Sequence, residues 1–599
     1  MKRGVGAVAF GWLALSTILT PTALHAADPL AFAGATQATG ADAPVGAPHG
    51  MVVTAQALAS KAGAQILSEG GNAADAAVAV AYALAVVYPA AGNIGGGGFM
   101  TLMQPDGHAV FIDFRERAPL AATETMFQDA QGNVIPGLSL RGWKAVGVPG
   151  TVGGMETVLH DYGSLPRAQV MAPAIALARD GFVLQAGDVA LLHTSTEGFK
   201  ANPASARIFL RPDGTPFQAG DRLVQTDLAN TLEAISKDGA RAFYEGPIAQ
   251  AIVNASQKGG GILSMRDFSA YKARKFKPVS CSYRGLRVDT APPPSGGGVA
   301  LCEILNILSG YDMHALGLHS LAATQHEIEA MRRAYADRQG LGDPAFVKDP
   351  VAALINPVYA ASVRKAMPSD RAGVSAGMVP LQVAARGPVG AKGQEEKQET
   401  THYSIVDKDG RAVAVTYTLN GWFGAQVVAD GTGITLNDEM DDFATKPGVA
   451  NMFGLVGSEA NAVQPGKTPL SSMSPTILSR HGKVVMVIGS PGGSLIPTIT
   501  LSAILGVVDY RQTIQQAIDD GRIHEQWMPD QVWVEPNALS AEVAKSLTDE
   551  GYHLKPHEPW GSAQGILVGG PALGVAATDG NHVYGGIDRR HPGAAAIGE

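Results

Sequence analysis

Cysteine is nearly absent from this sequence: 599 residues hold two, Cys281 and Cys302. Neither sits in a C-x-x-C pair or beside a histidine, which argues against a catalytic thiol or a cysteine-based zinc site. In an oxidising compartment the two could pair; the expectation taken here is two separate buried thiols. Charge is sparse too, at 17% of residues with a net charge of −9. No basic block or aromatic-basic interleaving occurs, so no nucleic-acid partner is expected. Near the N-terminus an apolar stretch runs from Gly4 to Thr20. It is shorter than the roughly 20 residues of a membrane span. With Lys2 and Arg3 before it and a small-residue end at Ala26–Ala27, residues 1–26 read as an export signal. A periplasmic or secreted protein without a membrane span is expected.

What is abundant is glycine, 73 residues of it, without any repeating period. Val53 to Ser68 reads as a helix ended by Gly70–Gly71. Asn72 is a good cap for a second helix, Ala73 to Tyr88, which is apolar nearly all round and should be buried. The glycine run Gly92 to Gly98 lacks the Lys-Ser/Thr of a phosphate loop and suits close backbone packing. Ala109 to Phe114 is strand-like and delivers Asp113, Arg115 and Glu116 to its end. From about Gly147 to Gly340 the pattern is mostly helical. Ser375 to Glu399 is rich in Gly, Ala, Pro and polar residues without a core-facing period, and reads as a flexible segment.

Strands resume abruptly at Thr400. Thr400 to Asp407 is a strand by composition; Lys408-Asp-Gly410 and a second strand, Arg411 to Leu419, complete a hairpin. Pairing Asp407 with Arg411 and counting back in antiparallel register puts Thr400 opposite Thr418. Two hydroxyls then meet where a flexible segment joins a buried strand. A threonine hydroxyl is a poor nucleophile until a base takes its proton. Cleavage just before Thr400 would free an α-amine on the same residue, with a reference pKa of about 8, to be that base. Taken alone, the hairpin also reads as an ordinary cross-strand threonine pair.

Thr400-Thr-His-Tyr-Ser404 with Val406-Asp-Lys-Asp-Gly410 resembles the start of the small subunit of γ-glutamyltranspeptidases, which are N-terminal-nucleophile hydrolases. Further matching motifs are Gly71 to Asp75, Gly92 to Phe99, Asp113 to Glu116, Pro292 to Gly298, Tyr417 to Asn420, Met440 to Phe443, Pro469 to Pro475 and Gly489 to Ser494. The resemblance implies an α+β fold, a four-layer αββα sandwich built from both subunits of a self-cleaved precursor. Residues 27–399 would form the large subunit and 400–599 the small catalytic one.

The resemblance also implies a site. Thr400 would attack the γ-carbonyl with support from Thr418. The N–H groups of Gly492 and Gly493 would form the oxyanion hole. Arg115, Ser471 and Ser472 would bind the donor α-carboxylate, and Asn420, Glu439 and Asp442 its α-ammonium. No metal or organic cofactor is called for. Two positions depart from the family pattern: Glu439 takes the acidic option where some bacterial members carry Gln, and Phe453 stands where many carry Tyr. Phe453 cannot bond Asn420 through a hydroxyl, so an apolar acceptor wall of Trp422 and Phe453, with Trp560, is the expected substitute.

The function implied is transfer of a γ-glutamyl group from glutathione or a related donor to water, an amino acid or a peptide. A cephalosporin (glutaryl) acylase of the same fold and a non-catalytic exported γ-glutamyl-peptide-binding protein are the alternatives.

Overall fold

The computed structural model describes Met1, residues 43–381 and residues 399–599. The export signal and residues 382–398 lie outside the described residues. Two seven-stranded antiparallel sheets dominate the described chain. In one, Thr401–Val406 and Ala412–Thr418 lie at the centre, flanked by Met51–Thr54 on one side and Gly97–Met103 on the other. In the other, Lys483–Gly489 and Thr476–Arg480 are central, between Gln564–Val568 and Leu286–Thr290. Both sheets draw strands from either side of Thr400, so the sequence before and after that residue builds a single sandwich.

The hairpin shows how side-chain alternation makes the layers. Tyr403, Ile405, Val413, Val415 and Tyr417 point into an apolar cluster shared with the helices Ala57–Ser68 and Ala73–Val87. Val406, Ala412 and Ala414 point the other way, into a cluster with Ile477, Val487 and Ile566 of the second sheet. The helices Gly297–Leu308 and Ile496–Val508 cover that second sheet's outer face. The result is the αββα order expected. His402 lies between the sheets, bonded to Thr416 Oγ1 at 2.8 Å and Ser404 Oγ at 3.1 Å. Burial pushes its imidazole down to about 3, so it stays neutral and takes no part in proton transfer near neutral pH. Gly489 lets the sheets meet there, since a Cβ would fall 2.3 Å from the His402 ring.

Several motifs fix the hairpin in place. Asn72 and Asp75 form a reciprocal capping box at the start of Ala73–Val87, a helix buried along its whole length. Asp407, at the hairpin turn, accepts from the N–H of Ala73 at 2.9 Å and so ties that helix N-terminus to the strand that begins after Thr400. The glycine run packs against backbone, as expected: a Cβ on Gly95 or Gly96 would lie 2.1 Å from the carbonyl oxygens of Thr435 and Thr418 respectively.

Three expectations need correction. Val53 does not begin a helix: Met51–Thr54 is an inner strand of the sheet, and the helix starts at Ala57 under a Gln56 cap. The β-branched Val52 and Val53 are recruited to the sheet, where tertiary pairing overrides the helical reading. Cys281 and Cys302 are not separate thiols; they form a disulfide, because the edge strand Val279–Tyr283 lies under the helix Gly297–Leu308. The segment from Ser375 does not start loosely either. Ser375 is buried, its carbonyl accepting from Trp527 Nε1 at 3.0 Å, and the N–H of Leu381 reaches Asp337 at 2.6 Å.

Candidate active site

Thr400 sits at the head of the central strand, 4% exposed, with its Oγ1 donating to Thr418 Oγ1 at 3.1 Å. The pairing Thr401 with Tyr417 gives the register read from the sequence. Thr418 Oγ1 also accepts from the N–H of Asn420 at 2.9 Å, which fixes its position. Thr400 has φ of +128°, a region that a β-branched residue rarely enters. The backbone is thus strained at Thr400, directly after a buried Glu399.

A small cavity opens beside this pair. Ten of the residues expected in the site line it: Thr400, Thr418, Asn420, Arg115, Glu439, Asp442, Ser471, Ser472, Gly493 and Phe453. They come from well-separated stretches of the sequence, and each is positioned locally. Arg115 follows the strand Ala109–Asp113, its N–H held by Asp113 and its carbonyl by the Tyr271 hydroxyl at 2.9 Å. Glu439 and Asp442 lie on a short 3₁₀ turn. Ser471 and Ser472 form a loop backed by Pro292 to Gly298: Ser295 Oγ donates to Met473 O at 2.6 Å, and a Cβ on Gly297 would strike Ser472 O at 2.0 Å. That close approach accounts for the glycine-rich motif.

The Arg115 guanidinium is buried and fully engaged. Nε donates to Pro469 O at 3.0 Å, Nη1 pairs with Glu439 at 2.5 Å, and Nη2 pairs with Asp442. Burial pushes Glu439 up to about 7 against the pull of Arg115, and raises Asp442 against the same pull. Glu116 lies behind them, and burial first and the charge of Glu439 second raise it well above its ordinary value. Without a ligand the charged groups of the pocket pair with one another. A zwitterion can exchange these internal pairs for its own carboxylate and ammonium without leaving a buried charge uncompensated.

Gly492 and Gly493 occupy a turn at φ of +134° and +53°, leading through a 3₁₀ turn into the helix Ile496–Val508. Their N–H groups precede that helix, where backbone donors are unused and favour developing negative charge. Phe453 packs on Gly493, where a Cβ would lie 2.4 Å from the ring. The loop bearing Phe453 is latched without a tyrosine: Asn420 Nδ2 contacts Met452 Sδ at 3.5 Å, and the N–H of Met452 donates to Asp441 at 3.0 Å. Trp422 is half-buried, edge-on to Tyr88, and Trp560 is wholly inside the core of the second sheet. Neither tryptophan is among the cavity-lining residues, whereas Leu455, Met473 and Arg338 are. Arg338 ends a helix whose charges look like those of a solvated surface, so nothing in the sequence marked it.

The γ-glutamyltranspeptidase family model matches residues 59–598. The chain belongs to the γ-glutamyltranspeptidase family. It is 53% identical over 557 residues to the glutathione hydrolase proenzyme of Pseudomonas sp. (strain A14), covering 93% of this chain and 95% of that one. Among solved structures, the γ-glutamyltranspeptidase of Helicobacter pylori matches at 42% identity and a TM-score of 0.54, over 58% of this chain and 96% of that chain. A cephalosporin acylase from Bacillus halodurans matches at a TM-score of 0.78 but 26% identity, over 94% and 98% of the two chains. The fold is therefore shared by both activities, and the choice between them falls to the pocket.

For this γ-glutamyltranspeptidase family member the aromatic wall reduces to Phe453. Phe453→Ala should raise KM for aromatic acceptors about 5-fold, the loss of roughly 1 kcal/mol of apolar contact. Trp422→Ala should leave acceptor preference alone. Acceptor kinetics on both variants check this; an effect at Trp422 and none at Phe453 would reverse the assignment.

Proposed function

We propose that this chain is a self-processing γ-glutamyltransferase and glutathione hydrolase, exported to the periplasm or beyond, with Thr400 as its nucleophile once the Glu399–Thr400 bond is cut. The observation that carries the reading is the meeting, in one cavity, of the Thr400–Thr418 hydroxyl pair with a buried Arg115, Glu439 and Asp442 cluster. The first supplies an acyl acceptor. The second fits a group that bears a carboxylate and an ammonium on one carbon, as the α-carbon of a γ-glutamyl donor does.

The chemistry is acyl transfer in two steps. Thr400 Oγ1 attacks the γ-carbonyl carbon while the freed α-amine takes the hydroxyl proton. The tetrahedral oxyanion is met by the N–H groups of Gly492 and Gly493. Collapse breaks the C–N bond, and the proton passes to the leaving amine. Water or an acceptor amine then attacks the Thr400 ester and regenerates the hydroxyl. No helix among the described residues is long and apolar enough to cross a membrane. The reading of export rests on the first 26 residues, with Lys2 and Arg3 ahead of an apolar run.

The test is direct. Purified protein given glutathione should release glutamate and cysteinylglycine in equal amounts, and added glycylglycine should divert part of the glutamate into a γ-glutamyl peptide. Retention of intact glutathione by a folded, cleaved protein would remove the reading.

A further inference from the structure

Arg338 is buried in the wall of the same cavity, yet it has no counter-ion. Among the described residues no carboxylate lies within ion-pair distance of its guanidinium, whereas the buried Arg115 and Arg332 are each paired with carboxylates. Its one side-chain hydrogen bond runs from Nη2 to Ser472 Oγ at 3.0 Å, and its Nε is buried without a partner. A buried guanidinium with an idle donor and no anion is costly. The surroundings nevertheless make room for it: a Cβ on Gly296 would lie 2.8 Å from Arg338 Cγ and 3.1 Å from Nε. Arg338 also closes the helix Leu321–Arg338, on which Tyr335, one turn earlier, donates its hydroxyl to Ser494 O beside the Gly492–Gly493 turn.

Charge decides what is missing. Arg115 faces two carboxylates, Glu439 and Asp442, so these three leave a negative excess. Arg338 is the second cation lining the cavity, and its guanidinium holds the Ser472 hydroxyl there. We infer that Arg338 is a specificity-determining positioning residue for the donor's α-carboxylate, orienting the Ser472 hydroxyl towards it and supplying the cation that Arg115, held by two carboxylates, does not supply alone. This rests on the γ-glutamyl reading of the cavity and adds to it a division of labour between two arginines. With Arg338 present, two cations face two carboxylates and the pocket accepts a zwitterion. Without it the pocket carries a net negative charge and turns a carboxylate away.

The test compares three anilide donors on the mature enzyme: γ-glutamyl; glutaryl, which lacks the α-ammonium; and 4-aminobutyryl, which lacks the α-carboxylate. Arg338→Gln should lower kcat/KM about 100-fold for the two carboxylate-bearing donors, chiefly through KM. It should change the 4-aminobutyryl value less than about 3-fold, within the scatter of a surface change. Arg338→Lys, which keeps the charge but not the fork, should restore part of the loss. Combined with Ser472→Ala, the Arg338→Gln effect should be less than additive, because the two side chains act as a unit. An equal loss on all three donors, no loss on any, or failure of both Arg338 variants to mature would assign Arg338 to structure and overturn the inference. Failure of the γ-glutamyl reading is separate, since it would show in the wild type as a preference for the glutaryl donor.

Discussion

Thr400→Ala should purify as one uncut chain without activity, while the wild type should yield a 200-residue fragment, residues 400–599, that begins at Thr400. Thr400 is held at φ of +128°, with its Oγ1 against Thr418 and the preceding Glu399 buried. Attack of Oγ1 on the Glu399 carbonyl carbon forms an ester and breaks the C–N bond, the nitrogen taking the hydroxyl proton. Water then hydrolyses the ester. Both products relieve the constraint, and the freed amine becomes the base for later turnovers. Thr400→Ser keeps the hydroxyl and should still be cut. The loss of turnover in Thr400→Ala should exceed about 10⁴-fold, as for other residues that act as a unit with their base. A gel and N-terminal sequencing check it; cleavage of Thr400→Ala at the same bond sinks self-processing.

A γ-glutamyl anilide should be preferred over a glutaryl anilide by roughly 10⁴-fold, since a site built to bond a substrate group rejects the analogue that lacks it. Glutaryl brings a further carboxylate to Arg115, Glu439 and Asp442 but no ammonium to offset it. Asp442→Asn should lose most γ-glutamyl activity and narrow the gap, because the repulsive charge leaves with the attractive one. The same pocket sets a pH dependence. Glu439, raised to about 7 by burial, takes a proton as pH falls through that value, so donor KM should rise below it. Glu439→Gln should flatten that limb. Comparable kcat/KM for the two donors in the wild type would favour the acylase reading.

Much of this is legible in the sequence, and for physical reasons. The hairpin register followed from the glycine-bearing turn after Asp407, so the meeting of Thr400 with Thr418 could be counted out. Asn72 announced a helix start because capping is local chemistry. What local pattern does not encode was missed. The strand Met51–Thr54 is set by partners far along the chain, Tyr403 to Val406 among them. The disulfide depends on a helix lying over an edge strand, which two isolated cysteines do not announce. Trp422 was placed in the site because it follows the hairpin closely, but the chain turns it towards Tyr88. Arg338 was invisible because its burial is created by the Ser471–Ser472 loop and the Gly296 approach, both remote in sequence. The roles given to Arg115, Glu439 and Asp442 came from the family resemblance. The structure adds that the three are already paired with one another before a donor arrives.

The most direct test of the central claim is the mass of the small fragment during turnover. Wild-type protein should be mixed with a γ-glutamyl anilide, quenched in acid within the burst and digested. The peptide that begins at Thr400 should carry the added mass of one γ-glutamyl group at Thr400, and the adduct should vanish on incubation with an acceptor. An adduct on any other residue, or full turnover by a chain still intact across Glu399–Thr400, would contradict the account.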